Sequence, residues 1–482
     1  MIPIERNIAI DKTSKIPIYQ QIAMGISTAI RKGSLKAGMV LPGTRELAKI
    51  LQVHRKTVIA AYDELQAQDW VRIVPRKHVT VSERIPVLKP QSWENTITQV
   101  GYATNMTLHF RQIVDNPAHN APFKIPDITI DDGYPDVRLS PIAALLKTYR
   151  SNTSRKYAIK TANTGTAQGT PKLRETLVSY LSETRGLNCT ADNILITHGA
   201  QMSIYLAAQL LLHSGARIIV GQPNYPVADQ VFEQTGAQLL KVNVDTHGID
   251  TDAIELICRK EKINAVYVVP HHHYPTTVTL SVERRMKLLE LSERYAFAII
   301  EDDYDYDYHY TSSPYLPLAS SGHNGNVIYI GSFSKILDPS LRMGFMVAPQ
   351  NFIVQCTALR KLIDVGGDGY MQNALATLIQ DGELKRHLKK AKKCYHQRRD
   401  FLDTLLQEHL SRYISYTLPS GGMAIWIRLR EGYSISRLKT TDRFYIARTD
   451  SEQNAFRFGF ASLNETELTE AVLYFKSMLT NI

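Results

Sequence analysis

The stretch Asn326-Val327-Ile328-Tyr329-Ile330-Gly331-Ser332-Phe333-Ser334-Lys335, followed by Arg342, decides the fold of the larger part of this 482-residue chain. It reads as a buried strand that runs into a turn of small residues presenting one lysine, two hydroxyls and a guanidinium together. A lysine condenses with an aldehyde only as the free amine, which calls for a sheltered pocket with cationic or apolar neighbours. The hydroxyls and the guanidinium suit a phosphate. Pyridoxal 5'-phosphate carries both groups. Taken alone, the motif fits an exposed lysine in a surface turn better, so the chain on either side has to decide.

Outward from that stretch, short apolar runs alternate with amphipathic helical patterns from Asp127 onward. Ile194–Thr197 precedes a helical pattern over Ala200–Leu212, and the runs Arg217–Val220, Ala265–Val269, Phe297–Ile300 and Val327–Ile330 follow. Continuous hydrophobic strands separated by helices predict an α/β fold with a mainly parallel sheet covered on both faces. Ligands of such sheets bind beyond the carboxyl ends of the strands. Polar residues stand there in this chain. His198-Gly199-Ala200-Gln201 turns a strand into a helix whose N–H groups suit an anion, and Glu301-Asp302-Asp303-Tyr304 follows another strand. A carboxylate at Asp302 suits a pyridine nitrogen, and Tyr304 a phenolate oxygen. An acidic loop that only solvates a strand end is the alternative.

The charge is unevenly divided. Of the net +10, residues 1–90 hold fifteen Lys and Arg against seven Asp and Glu, a surplus of eight. A small basic module beside a large, nearly neutral one points to a polyanion as partner of the first only. Within it, Ile18, Ile22, Ile26 and Ile30 recur at helical spacing. Gly33 and Gly38 break the chain, a second short helix is predicted over Thr44–Leu51, and a third over about His54–Gln68. The residues His54-Arg55-Lys56-Thr57 open that third helix away from its apolar face, which is helix-turn-helix geometry. Val71–Val74 and Val79–Val81 would flank a basic wing tip, Pro75-Arg76-Lys77-His78, that lies along phosphates. Residues 82–126, broken by five prolines and without period, read as a linker between domains at 1–81 and 127–482, with a short strand near Thr107–Phe110. No apolar run reaches membrane-span length, and the four scattered cysteines show no C-x-x-C, so a reduced cytoplasmic protein without structural zinc is expected.

Leu41-Pro42-Gly43-Thr44-Arg45-Glu46-Leu47-Ala48, Val53–Val58 and Ala61-Tyr62-Asp63-Glu64-Leu65 together resemble the winged helix-turn-helix of GntR-type repressors over about residues 12–81. The resemblance implies that Arg45, His54, Arg55, Lys56, Thr57 and the wing residues Arg76 and Lys77 meet double-stranded DNA. The family's wing tip is usually G-x-G, which this chain lacks. Residues 127–482 resemble a fold-type I aminotransferase through Gly199-Ala200-Gln201, Tyr225, Pro275-Thr276, Asp302 with Tyr304, Ser332-x-Ser334-Lys335, Arg342 and Arg457. Carried over by position, Lys335 would form the internal aldimine with pyridoxal phosphate and Asp302 would hold the ring nitrogen. Tyr225 would lie against the ring, with Tyr274 and Tyr304 at its oxygen. Gly199, Ala200, Gln201, Ser332, Ser334 and Arg342 would take the phosphate, and Arg457 would grip an effector carboxylate. Two departures concern turnover: Tyr274 and Thr277 replace the asparagine and glycine of N-P-T-G, and Thr164 replaces the phosphate-binding tyrosine. His271, His272 and His273 invite a metal reading, but consecutive strand residues face opposite ways, and no metal is expected.

The pairing of these two modules resembles the MocR subfamily of GntR-type regulators. It implies a transcription regulator whose cofactor at Lys335 exchanges with an amino or amine metabolite. It also implies a head-to-tail homodimer and an operator with two half-sites. The alternatives are a working aminotransferase with a DNA-binding appendage, and a repressor whose large domain has lost the cofactor.

Overall fold

The computed structural model describes residues 8–74, 78–83, 105–106, 108–111, 113, 126–163, 167–311, 315–438, 441 and 443–480. The chain divides into two compact units, Met1–Ile113 and Val114–Ile482. Most of the expected linker, 82–126, lies outside the described residues, as do Arg76, Lys77 and Thr164.

The first unit is built on α1 (Ile18–Arg31), α2 (Thr44–Ile50) and α3 (Arg55–Ala67). The isoleucine spacing of α1 puts Ile22, Ile26 and Ile30 on one buried face, against Val58, Ala61, Tyr62 and Leu65 of α3. Deleting one such side chain, as in Ile26→Ala, costs about 2–5 kcal/mol through lost burial and the cavity left behind. Gly43 caps α2, and the His54 ring nitrogen accepts the Lys56 N–H at 3.2 Å to cap α3. The Tyr62 hydroxyl donates to the Pro42 carbonyl at 2.7 Å, pinning α3 to the turn before α2. The wing has three strands rather than two: β1 (Val40–Leu41) pairs with β3 (His78–Val81), which pairs with β2 (Val71–Val74), all antiparallel.

In the second unit, β4 (Ile128–Ile130) pairs with Phe444–Ile446. The central sheet comprises β5 (Ile194–Thr197), β6 (Arg217–Gln222), β7 (Gln238–Asp245), β8 (Gly248–Ile249), β9 (Ala265–Val268), β10 (Ala298–Asp303), β11 (Val327–Ser332) and β12 (Gly344–Val347). Their spatial order is β5-β12-β11-β10-β9-β6-β7-β8, with only β12 and β8 antiparallel to their neighbours. Successive strand residues feed different cores, as a period of two requires. Ile218 and Val220 pack toward the helix Ala200–Leu211, whereas Ile219 joins Val266, Val268 and Ile299 on the other face.

Several expected boundaries shift. β10 and β11 run on through Asp303 and Ser332, because the backbones of these polar residues still pair (Asp302 with Ile330, Asp303 with Gly331). No strand forms over 108–110, where Leu108 is 72% and Phe110 54% exposed, so nothing covers an apolar strand there; Thr107 lies outside the described residues. The three histidines follow β9 in a bend instead of lying on a strand. A four-stranded antiparallel sheet near the C-terminus carries Arg457 on Ala455–Gly459, backed by the helices Glu383–Leu410 and Glu465–Thr480. Among the described residues no helix is long and apolar enough to cross a membrane, and all four cysteines are free.

Candidate functional site

A cavity of about 450 Å³ opens at the carboxyl ends of β9, β10 and β11, within the size range of small-molecule sites. It brings together Ala200, Gln201, Tyr225, Tyr274, Asp302, Tyr304, Ser332, Ser334, Lys335 and Arg342. They come from separate strand ends, because the parallel ladder delivers every strand's last residues to one edge of the sheet.

Lys335 is half-buried, and its Nζ donates to the Gly133 carbonyl at 2.7 Å. It lies 4.6 Å from the Tyr134 ring centre and 5.9 Å from that of Tyr304. Burial pushes its amine below the usual lysine range, with Arg457 adding to the shift and Asp132 opposing it. That direction favours the free amine a carbonyl partner needs.

Asp302 is buried at the end of β10. Its Oδ2 accepts the Tyr267 hydroxyl at 2.7 Å, while Oδ1 has no partner among the described residues. Burial, with Asp303 and Asp305 nearby, pushes this carboxyl up to about 7 although the Tyr267 hydrogen bond pulls it down. A buried carboxyl in a cavity wall, with an orphan oxygen, suits a cationic N–H donor such as a protonated pyridine ring.

Below Lys335, Arg342 donates through Nη2 to the His198 carbonyl at 3.1 Å and through Nη1 to Ser334 Oγ at 3.5 Å. Ser332 Oγ accepts the Ser334 N–H at 3.1 Å. Gly199 has a φ of 82°, and a Cβ there would stand 2.7 Å from Arg342 Nη2, so glycine is needed for both backbone and space. Hydroxyls, a guanidinium and the first N–H groups of the helix Ala200–Leu211 form a cradle fit for a phosphate. Tyr225 meets Tyr274 edge-on with centroids 5.1 Å apart, and its hydroxyl accepts from Gln201 at 3.4 Å. Tyr304 donates to the His272 carbonyl at 3.0 Å.

Arg457, expected to grip an effector carboxylate, sits behind the cavity wall. It is 2% exposed and absent from the cavity lining, whereas Asp132 and Tyr274, which both touch it, line the cavity. Its Nε lies 2.7 Å from Asp132 Oδ1, off the line of its N–H bond, Nη1 donates to the Pro275 carbonyl at 3.0 Å, and its guanidinium stacks 4.7 Å from the Tyr274 ring centre. An open fork awaiting an incoming carboxylate is therefore not what the fold presents. Each histidine of the triplet has its own partner through Nδ1: Asp303 at 2.9 Å, Asp305 at 2.8 Å and Thr276 at 3.0 Å. Among the described residues no group of three or more His, Cys, Asp or Glu side chains is arranged for a metal.

Sequence reasoning missed Asp132, Gly133, Tyr134 and Tyr267. The last carried a signal, a hydroxyl inside an otherwise apolar strand. The first three stand in Asp131-Asp132-Gly133-Tyr134-Pro135, a loop tied down when Asp131 Oδ1 accepts the N–H groups of Gly133 and Tyr134 at 2.7 and 2.9 Å.

In the first unit Arg45, His54, Arg55 and Lys56 are exposed and Thr57 is half-buried. Arg55 Nε donates to Thr44 Oγ1 at 3.2 Å, which fixes the guanidinium at the start of α2.

A family model described as aminotransferase class I and II matches residues 141–475, and one described as bacterial regulatory proteins, gntR family, matches residues 18–81. The HTH-type transcriptional regulator YdfD of Bacillus subtilis is 29% identical over 434 residues, covering 89% of this chain and 88% of its own. The probable rhizopine catabolism regulatory protein MocR of Rhizobium meliloti is 27% identical, covering 87% and 83%. Among solved structures, the kynurenine aminotransferase of Pyrococcus horikoshii superposes with a TM-score of 0.67 at 28% identity, over 74% of this chain and 91% of its own.

Proposed function

Because the chain belongs to the class I and II aminotransferases and joins that domain to a GntR-type DNA-binding head, as MocR-like transcriptional regulators do, we propose that pyridoxal phosphate held at Lys335 is the part of this regulator that senses an amine. The aminotransferase family is dependent on that cofactor. The observation that carries the reading is the unpartnered Oδ1 of Asp302 in the same cavity as Lys335. When bound, the cofactor would be held by Lys335 and would supply a carbon at the aldehyde level, with which a primary amine can condense.

The chain's own residues set up that exchange. Asp302 pairs with the ring N–H, and Tyr267 holds the carboxyl in line. Tyr225 would face the ring, with Tyr274 and Tyr304, whose hydroxyls donate to Asp132 and to the His272 carbonyl, beside it. Arg342, Ser332, Ser334, Gln201 and Ala200 bind the phosphate, and Gly199 leaves room for Arg342. Lys335, kept below its usual range by burial, gives up its proton readily, and the Gly133 carbonyl orients its nitrogen. In the basic unit, Arg45, His54, Arg55, Lys56 and Thr57, with Arg76 and Lys77 of the wing, contact double-stranded DNA. The large unit pairs two copies head-to-tail, so the operator carries two half-sites. Tyr157, Leu362 and Val365, 78%, 83% and 74% exposed, offer apolar surface for that pairing.

The test combines two readouts on the full chain: visible absorbance on adding pyridoxal phosphate, and affinity for DNA flanking its own gene with and without cofactor. Lys335→Ala should lose the absorbance band and the borohydride-stable adduct while remaining folded. A band and adduct that survive in this variant exclude Lys335 as the attachment point. The working-aminotransferase alternative predicts product accumulating beyond one equivalent per chain from an amino donor and a keto acid.

A further inference from the structure

An aspartate stands where the resemblance expected room for a ligand's acid group. Asp132 lies in the loop after β4 and is itself part of the cavity wall. One of its oxygens is 2.7 Å from Arg457 Nε, and the other accepts the Tyr274 hydroxyl at 2.7 Å. The carboxylate is thus held from both sides, by a cation that is 2% exposed and by a buried phenol.

Its position is fixed by neighbours that have little freedom. Asp131, the preceding residue, accepts from Gly133, Tyr134 and Ser462, and its carbonyl accepts the Gly459 N–H at 2.9 Å. Gly459 lies two residues beyond Arg457 on the same strand, and a Cβ there would stand 2.0 Å from Asp131 Oδ1. The loop and the arginine's strand are locked together, so the Asp132–Arg457 pair follows from backbone contacts and not from a chance side-chain orientation. Gly133, next to Asp132, accepts from Lys335. The carboxylate therefore belongs to the same short loop that holds the reacting amine.

We infer that Asp132 serves as a built-in counter-charge for Arg457, so that the pocket selects primary amines without a carboxylate on the amine-bearing carbon. This rests on the reading that a ligand amine exchanges at Lys335. An amino acid entering with its nitrogen at Lys335 brings a second carboxylate toward one that is already present, and its natural cation is screened behind Asp132 and Tyr274. Like charges in a confined site repel strongly, and the arginine has no open fork with which to offset them. An uncharged alkyl substituent at the same carbon meets instead the apolar walls of Val227, Val269 and Tyr134.

Two probes of nearly the same shape separate the possibilities: n-propylamine and L-2-aminobutanoate, which differ by the carboxylate. Each is titrated into cofactor-loaded full-length protein while the visible spectrum is followed. Wild type should respond to n-propylamine at a concentration at least tenfold below that for L-2-aminobutanoate. In Asp132→Asn, which keeps the shape but frees the arginine's charge, the ratio should swing at least tenfold toward the amino acid. Asp132→Ser is the second variant if the amide perturbs folding. A ratio unchanged between wild type and both variants, or a wild type that prefers the amino acid, overturns the inference. Methoxyamine, which has no carboxylate, is added in parallel. If the wild type gives no borohydride-stable adduct at Lys335, attachment there is what fails; if it does and methoxyamine shifts the spectrum, the two probes report on Asp132 alone.

Discussion

Replacing Asp302 with asparagine perturbs the site at one point without changing its shape. In the cofactor-free protein Oδ2 is engaged by Tyr267 at 2.7 Å and Oδ1 is unpartnered in a buried setting. Binding a protonated ring nitrogen gives Oδ1 a charge-assisted hydrogen bond, worth about 1.5–3 kcal/mol. An amide in its place offers a neutral acceptor or, flipped, a donor facing a donor. The cofactor's dissociation constant should therefore rise about 10- to 150-fold in Asp302→Asn, by the conversion of 1.4 kcal/mol to one decade. Titrating apo protein with pyridoxal phosphate, followed by absorbance or by quenching of intrinsic fluorescence, measures this directly. Lys335→Ala serves as the reference, since it removes the covalent link and leaves the ring contact. A change smaller than about threefold in Asp302→Asn would refute the pairing of this carboxyl with the ring and, with it, the argument from the orphan oxygen.

Other outcomes follow from the same geometry. Tyr267→Phe removes the hydroxyl that Oδ2 accepts, so cofactor affinity should fall in the same direction by less, read in the same titration. Asp302 is pushed up to about 7 from an ordinary carboxyl value of 3.8, so the folded apo protein binds this proton more tightly than the unfolded chain. Stability should therefore fall as pH rises from about 4 to about 7, and the decline should be shallower in Asp302→Asn; denaturant midpoints across that window check it. On DNA, Arg55→Ala should cost about 1–3 kcal/mol and relax preference at one base pair, while exposed Lys56→Ala should weaken all sequences alike and flatten the salt slope by about one; binding titrations at several salt concentrations separate the two. A footprint restricted to one half-site would count against pairing through the large unit.

What the sequence made legible were features carried by consecutive residues. The strand, small turn and lysine of 326–335, the isoleucine spacing of α1 and the basic start of α3 each sit within one element, and local periodicity reveals them. The placement of Asp132 and Gly133 did not, because their partners lie 142 and 202 residues away, at Tyr274 and Lys335. Arg457 shows the same limit from the other side. Its motif was readable, but the aspartate that pairs with it comes from a loop whose position depends on how the β4 region meets the C-terminal sheet. Strand ends were misread where polar residues continue a ladder, as in β10, since hydropathy marks burial and not backbone pairing. The third wing strand, two residues long, was too short to leave a pattern.

The pairing of Asp302 with Ile330 and Asp303 with Gly331 puts the acid proposed to meet the ring and the run toward Lys335 on two neighbouring strands of one ladder. Their spacing is therefore a property of backbone geometry, shared by any side chains placed on it. The loop that carries Asp132 is attached elsewhere, to the C-terminal sheet. On the proposed reading, a change at Asp132 alone alters which amine is recognised while the residues on the ladder keep their places. A duplicated copy of such a gene can thus acquire a new signal by a few substitutions in one loop, without passing through an intermediate that has lost its cofactor.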